Sequence, residues 1–171
     1  MSFSKLFQKT GLLLLTSILS LSFISCEQTE SEALESDIVA AEMHGSWYVE
    51  FLLDGEDIYD LGHQLINTYN TSENDGSSMW INDKEHLWEF IVNCPINSSS
   101  KTFSGEALYS NVDDYEVDVT ITNGKITEGG TTSLGGYTAD QISFDVEFSD
   151  DAGSVYQVIG YRHIGYVEDV P

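Results

Sequence analysis

YEVDVTI, residues 115–121, alternates apolar and polar side chains without a break. In an extended chain its four apolar residues fall on one face, and the acidic and hydroxyl residues between them fall on the other. ISFDVEF, residues 142–148, repeats the pattern. Each stretch therefore predicts a β-strand with one dry face and one wet face, as in an antiparallel sheet.

Working outward from these two stretches, the same period of two recurs along most of the chain and predicts about nine strands. The alternation is clear in residues 47–53 and 88–94, and it is less regular in residues 62–71, 78–82, 102–108, 125–128 and 155–166. Nothing after Ala41 keeps a long period of 3.6, so no interior helix is predicted.

Turn signals separate the predicted strands. Asn123-Gly124 is the strongest, because both residues accept positive φ, and it predicts a hairpin between Ile121 and Ile126. Further reversals are predicted at residues 74–76, 113–114, 129–130, 135–136 and 150–153. Strands that follow one another at such short intervals favour an all-β, antiparallel up-and-down meander. A long meander removes its exposed edges by closing into a barrel.

The first 25 residues have the layout of an export signal, with Lys5 and Lys9, then an apolar run, then the small Ser25. Cys26 follows directly, as in a bacterial lipobox, although Phe23 stands where lipoboxes usually carry leucine. We expect residues 1–25 to be a lipoprotein signal peptide and Cys26 to be the lipid anchor. The alternative is a signal-peptidase cut elsewhere that leaves Cys26 free.

Residues 26–43 are rich in Glu and Ser and contain no aromatic residue, which predicts an acidic tether before a β-barrel domain at 44–171. The chain carries 29 acidic and six basic residues. Phosphate binding depends on Lys and Arg, so nucleic acid is excluded as a partner. Anionic headgroups would also repel the domain, leaving the acyl anchor as its membrane contact. The predicted location is the outer membrane or cell surface; the sequence says nothing of oligomeric state.

No residue pattern spells out a reaction. The chain has no Gly-x-Ser-x-Gly elbow, zinc-binding His-Glu-x-x-His helix or phosphate-binding glycine loop, and its four histidines are scattered. Cys94, at an apolar position of its run, is expected to be a buried, unreactive thiol. Asp150-Asp151 is interpreted as a capped turn rather than a calcium site. We therefore predict no catalytic residue, no metal and no cofactor.

Six stretches, in order, resemble the lipid-binding putative hydrolase family of Bacteroides-type lipoproteins. They are LINTYNTSEND (65–75), MWINDKEHLWEF (79–90), TFSG (102–105), VTITNGKI (119–126), ISFDVEFSDDAG (142–153) and YQVIGYRHIGYVED (156–169). One departure is Ile164, where the family tends to have threonine. The resemblance implies a lipocalin-like (calycin) barrel of about eight strands, exported and lipid-anchored. The hydrolase half of the family name has no motif on this chain, which favours a binding protein over an enzyme.

The aromatic residues are the candidate ligand site. Trp47 follows Gly45 as in the lipocalin Gly-x-Trp, where the indole plugs the closed end of the barrel. The candidate pocket-lining residues are Trp80, Trp88, Phe90, Tyr115, Phe144, Tyr156 and Tyr161, with ordinary core packing as the alternative.

Three functions compete on this basis. A carrier of a small apolar ligand or lipid predicts a cavity lined by these aromatics, and we favour it. A surface adhesion or accessory protein predicts a filled barrel with recognition by loops such as 72–77 and 129–136. A hydrolase predicts a histidine and a nucleophile converging in a cleft.

Overall fold

The alternating stretches form eight antiparallel strands in residues 37–171, the part of the chain described by a computed structural model. They are β1 (Gly45–Leu53), β2 (Gln64–Asn70), β3 (Ser78–Asn82), β4 (Ile91–Asn97), β5 (Thr102–Tyr109), β6 (Asp118–Thr132), β7 (Thr138–Phe148) and β8 (Tyr156–Arg162). The predicted signal peptide (1–25), Cys26 and most of the predicted tether (26–43) lie outside the described residues.

Each strand pairs with the next, and β1 also pairs with β8, which closes the sheet into a barrel. Tyr48 lies opposite Tyr161 at this closure. The predicted all-β, antiparallel up-and-down barrel of about eight strands is confirmed. The only helical segments among residues 37–171 are 3₁₀ turns at Ala41–Met43, Ser149–Asp151 and Val167–Asp169. In the same range, no helix has the length and apolar character needed to cross a bilayer.

The predicted hairpin at Asn123-Gly124 is wrong, because both residues lie within the 15-residue strand β6. Asn123 has a φ of 55°, and the register against β7 shifts between Thr122 and Lys125. This is a bulge, which adds one residue to β6 and changes the phase of its alternation. As a result, Ile121 and Ile126 are both buried although five positions separate them. The two predicted strands on either side are therefore one, which reduces nine strands to eight.

The barrel is filled mainly by side chains from alternate positions of its strands. On β7, Phe144, Val146 and Phe148 are at most 1% exposed, and the polar residues between them face outward. The same phase buries Val49 and Phe51 on β1. Burial of this apolar surface, at about 25 cal/mol per Å², is the main force that holds the barrel together.

The up-and-down topology sorts the loops into two sets. The loops after β1, β3, β5 and β7, residues 54–63, 83–90, 110–117 and 149–155, meet at one end, here called the open end. The loops after β2, β4 and β6 and the segment after β8 meet at the other, here called the closed end. The N-terminal part of the described chain joins the closed end, where the backbone N–H of Val39 donates to Asn74 Oδ1 at 2.9 Å.

Candidate functional site

The closed end is sealed by Trp47. Its side chain is completely buried, and Nε1 donates to Thr68 Oγ1 at 2.9 Å. The guanidinium carbon of Arg162 lies 4.2 Å from the Trp47 ring centre, a favourable cation–π contact. Arg162 in turn donates to the carbonyl oxygens of His44 and Glu42 and to the Asp140 carboxylate. The indole N–H of Trp47 and the guanidinium of Arg162 are thus both engaged by the protein itself.

At the open end, the β3–β4 loop begins with Asp83, whose carboxylate is fully buried. Its two oxygens accept hydrogen bonds from the backbone N–H groups of Glu85, Leu87, Trp88 and Phe90, at 3.0–3.1 Å. A short acidic side chain that accepts from nearby backbone groups fixes an irregular loop in one shape. Asp83 therefore sets the position from which Trp88 projects.

Trp88 lies on top of the aromatic core. Its ring stacks on Phe148 with centroids 4.8 Å apart and planes at 8°, and Tyr156 and Tyr59 flank it at 5.2 and 6.1 Å. Phe148 also contacts Phe90 at 5.6 Å, deeper in the barrel. The indole is thus the last layer of an aromatic stack that continues into the interior.

Asp150 ties two of the open-end loops together. One carboxylate oxygen accepts from Trp88 Nε1 at 3.2 Å, and the other accepts from the Tyr115 hydroxyl at 2.6 Å. Burial, reinforced by the hydrogen bond to Asp150, raises the pKa of the Tyr115 phenol, so that it stays protonated and donating. Asp150 and Asp151 thus cap aromatic side chains, and no group of metal-binding residues is found between positions 37 and 171.

A second network holds Tyr59, from the β1–β2 loop. Its hydroxyl lies 3.1 Å from that of Tyr156, which donates to Asp151 Oδ2 at 2.8 Å. Burial is the main cause that raises the pKa of Tyr156, followed by its contacts with Tyr59 and Asp151. The loop itself is shaped by Asp57, which accepts backbone hydrogen bonds from Leu61 and Gly62.

These loops enclose a groove of about 600 Å³ that is open to solvent. It is lined by Tyr59, Leu61, His86, Leu87, Trp88, Glu89 and Tyr115. Aromatic and leucine side chains form most of this lining, and the two remaining groups, an imidazole and a carboxylate, are polar. Ligand sites in proteins have this volume and this mixture of an apolar wall with a few polar groups. The groove is here called the aromatic groove.

The polar groups that line the aromatic groove are few. Of the described residues, no serine or cysteine lines it. The Nδ1 atom of His86 lies 2.8 Å from the carbonyl oxygen of Leu65, so Nδ1 carries a proton and donates, since a carbonyl only accepts. His86 is therefore a polar member of the wall that is oriented by a backbone carbonyl, with no serine or cysteine among the lining residues described.

The structure brings together only part of the predicted pocket lining. Trp88 and Tyr115 line the aromatic groove, and Phe90, Phe144 and Tyr156 lie in the buried core of the barrel, with Tyr156 and Phe90 close beneath Trp88. The remaining two residues lie on the outer wall.

Trp80 and Tyr161 are the two that the structure does not bring to the groove. Trp80 alternates with the buried Met79 and Ile81, so it faces out and is half-buried. Tyr161 is also on the outer wall, opposite Tyr48, and it is only 3% exposed because the C-terminal segment covers it. An aromatic residue on the outer wall that the C-terminal segment covers is as buried as one inside the barrel. The sequence pattern alone does not distinguish the two positions.

Cys94 is fully buried and unpaired, and burial raises the pKa of its thiol to about 12. Its thiolate is therefore scarce at neutral pH, and a thiol reacts through its thiolate. This agrees with the expectation of an unreactive core cysteine.

Sequence reasoning did not find Tyr59, Leu61 and Leu87, which are three of the five aromatic and leucine residues of the wall. All three lie in loops without a hydrophobic period, so strand patterns carry no information about them. The available signal was the pair of aspartates that shape those loops, Asp57 and Asp83, since short acidic residues in turn regions accept local backbone hydrogen bonds.

Comparison with known proteins identifies the family of the chain. A family model described as a lipid-binding putative hydrolase matches residues 33–167. The chain belongs to this lipid-binding family. The match spans all eight strands and the four loops of the open end, so the aromatic groove is part of the family domain. No curated protein matches the chain.

Proposed function

We propose that this member of the lipid-binding family holds the hydrocarbon chain of its ligand in the aromatic groove. One observation carries the proposal: Trp88 rests one ring face on the core at Phe148, and the same side chain lines an open groove of about 600 Å³. A ring fixed from behind offers apolar surface without a further loss of side-chain freedom, which favours binding.

The rest of the wall supports this role. The Tyr59, Tyr115 and Trp88 polar atoms are already hydrogen-bonded within the protein, so their rings contribute apolar surface. Burial of a hydrocarbon against such a wall gains about 25 cal/mol for each Å² of apolar surface removed from water. The interior below Phe148 is packed with core side chains instead of forming the aromatic-lined cavity expected of a carrier, so we place the ligand in the open groove above it.

The test compares two tryptophans. N-dodecyl dansylamide, an uncharged fluorescent alkyl probe, is titrated into wild-type protein, Trp88→Ala and Trp80→Ala. We expect the wild type to bind the probe, Trp88→Ala to bind it about tenfold more weakly or worse, and Trp80→Ala to match the wild type. Failure of the wild type to bind, or equal losses for both variants, would reject the groove as the site. If the wild type binds the probe in the groove, extraction of the purified protein with an organic solvent, followed by mass spectrometry of the organic phase, would identify the natural ligand.

We also propose that the protein is exported and tied to a membrane by acylated Cys26, with an outer-membrane or cell-surface location. The basic, apolar and small-residue zones of positions 1–25 support this. Cys94, the other cysteine, is enclosed in the folded barrel and serves as a matched control. We expect Cys26→Ser to move the protein from the membrane fraction to the soluble fraction, and Cys94→Ser to leave it in the membrane. Retention of Cys26→Ser in the membrane would contradict the anchor.

A further inference from the structure

The aromatic side chains that line the groove use all their hydrogen-bond donors inside the protein. The indole N–H of Trp88 and the hydroxyl of Tyr115 both donate to Asp150, at 3.2 and 2.6 Å. The Tyr156 hydroxyl gives its one proton to a carboxylate of the β7–β8 loop. At its 3.1 Å contact with the Tyr59 hydroxyl it therefore accepts, and Tyr59 donates. These rings offer a ligand apolar surface but no free proton.

His86 is committed in the same way at one of its two ring nitrogens. Its Nδ1 donates to the carbonyl oxygen of Leu65 at 2.8 Å, so in the neutral ring the other nitrogen, Nε2, is an acceptor. Nε2 forms no hydrogen bond with residues 37–171. The ring nitrogens that are enclosed without a partner in that range belong to His44 and His163, so Nε2 is open to solvent, and its side chain lines the groove.

The side chains of the groove thus present acceptors and no free donor. An ester or an ether on a ligand only accepts hydrogen bonds, so it would lose its bonds to water and gain none from these side chains. Leaving a polar group unpaired in this way costs binding free energy. A hydroxyl or an N–H would keep a hydrogen bond, because it can donate to His86 Nε2.

Resting on the proposed function, we infer that the ligand carries a hydroxyl or an amide N–H next to its hydrocarbon chain, and that His86 Nε2 accepts a hydrogen bond from it. Long-chain alcohols, partial glycerides and fatty amides belong to this class, whereas fully esterified lipids do not. The apolar wall around Trp88 supplies most of the affinity. His86 determines specificity, since it distinguishes polar groups that donate from those that only accept.

The experiment displaces bound N-dodecyl dansylamide with decanol and with decyl methyl ether, at about pH 8 so that imidazole groups are neutral. The two compounds share a chain and an oxygen, and only decanol has an O–H. Their relative affinity is compared between the wild type and His86→Asn, whose amide keeps a donor for the Leu65 carbonyl and has no counterpart of Nε2. We expect the ratio of decanol to ether affinity to fall about fivefold, as for the loss of one hydrogen bond, and the ether affinity to change by less than about twofold.

His163→Asn is the matched control, because that ring lies at the closed end, against Tyr48. This variant should keep the wild-type ratio. A second measurement needs no substitution at His86. In wild-type protein with ¹⁵N-labelled histidine, the Nε2 resonance of His86 should move when decanol is added and stay in place when the ether is added.

Two sets of results are distinguished. An unchanged ratio in His86→Asn, an equal fall in His163→Asn, or an Nε2 resonance that decanol does not move would overturn the inference and leave the groove as the binding site. If neither compound displaces the probe from the wild type, the proposed function itself is wrong.

Discussion

The two ends of the barrel use the same residue type in opposite ways. At the closed end, Trp47 comes from a strand, is fully buried, and has its nitrogen and its ring covered by Thr68 and Arg162. At the open end, Trp88 comes from a loop, has one face on Phe148 and is only partly buried. An indole held by strand neighbours seals the barrel, whereas an indole held by loop carboxylates leaves surface for a ligand. The two tryptophans differ in the residues that support them, and each of those residues can be replaced by mutation.

The largest effect is expected at the seal. Trp47→Ala would leave a cavity the size of an indole and would remove the cation–π contact of Arg162, and we expect a loss of about 3–5 kcal/mol in the free energy of unfolding. Urea denaturation measures it. Trp80→Ala, which removes the same side chain from the outer wall, should cost about 1 kcal/mol. Similar losses for the two variants would show that Trp47 does not act as a barrel plug.

A smaller loss of stability is expected at the support of the open end. Asp83→Ala leaves four backbone N–H groups without their acceptor, and we expect a cost of about 2–3 kcal/mol together with weaker binding of the alkyl probe. Asp113→Ala is the control, because Asp113 lies in a neighbouring loop and accepts no hydrogen bond within the described chain. It should change stability by less than about 0.5 kcal/mol. A stable Asp83→Ala protein with full probe binding would contradict the role given to Asp83.

The smallest effect is expected at Asp57, which shapes the loop that carries Tyr59. Backbone hydrogen bonds from Gly62 and then Leu61 lower the pKa of this carboxyl below its ordinary value. Its contribution is therefore complete above the unfolded value of about 3.9 and is lost as the pH falls through the lower folded value. We expect Asp57→Asn, which keeps one acceptor oxygen, to weaken probe binding slightly at pH 7.

The comparison of pH profiles isolates this carboxyl from the many others. As the pH falls below the ordinary value of about 3.9 and through the lower folded pKa of Asp57, the ratio of wild-type to Asp57→Asn affinity for the probe should fall towards one, because the wild type loses the charge that the variant already lacks. A ratio that stays constant across this range would show that Asp57 has no part in ordering the groove.

The barrel could be predicted from the sequence because a period of two directly reports a wall with one buried face. The stretch 142–148 is the clearest case, since its pattern and its burial in β7 coincide. The pair Asn123-Gly124 failed because positive φ suits both a hairpin turn and a bulge. The length of the partner strand β7 decides between the turn and the bulge, and the residues around Asn123-Gly124 give no information about that length.

The candidate site was less predictable. Trp88 and Tyr115 were predicted because each extends an alternating run by two steps beyond its strand, through Phe90 and Val117 respectively. Tyr59 could not be found, because its partner Tyr156 is 97 residues away and no period relates the two. Tyr161 was predicted to line the pocket as one of the aromatic residues, but it lies on the outer wall, where its hydroxyl donates to the Asp169 carbonyl and the C-terminal segment covers it.

The described chain enters the barrel at the end opposite the aromatic groove. Residues 37–44 lead into β1 from the end sealed by Trp47, and Asn74 fastens them there through bonds to Val39 and Asp37. A protein attached to a bilayer through its N-terminus would turn its closed end towards that bilayer and its aromatic groove towards the surrounding solution. Its ligand would then be exchanged with molecules or surfaces beyond that bilayer, and the length of the N-terminal tether would limit the distance that the groove can reach.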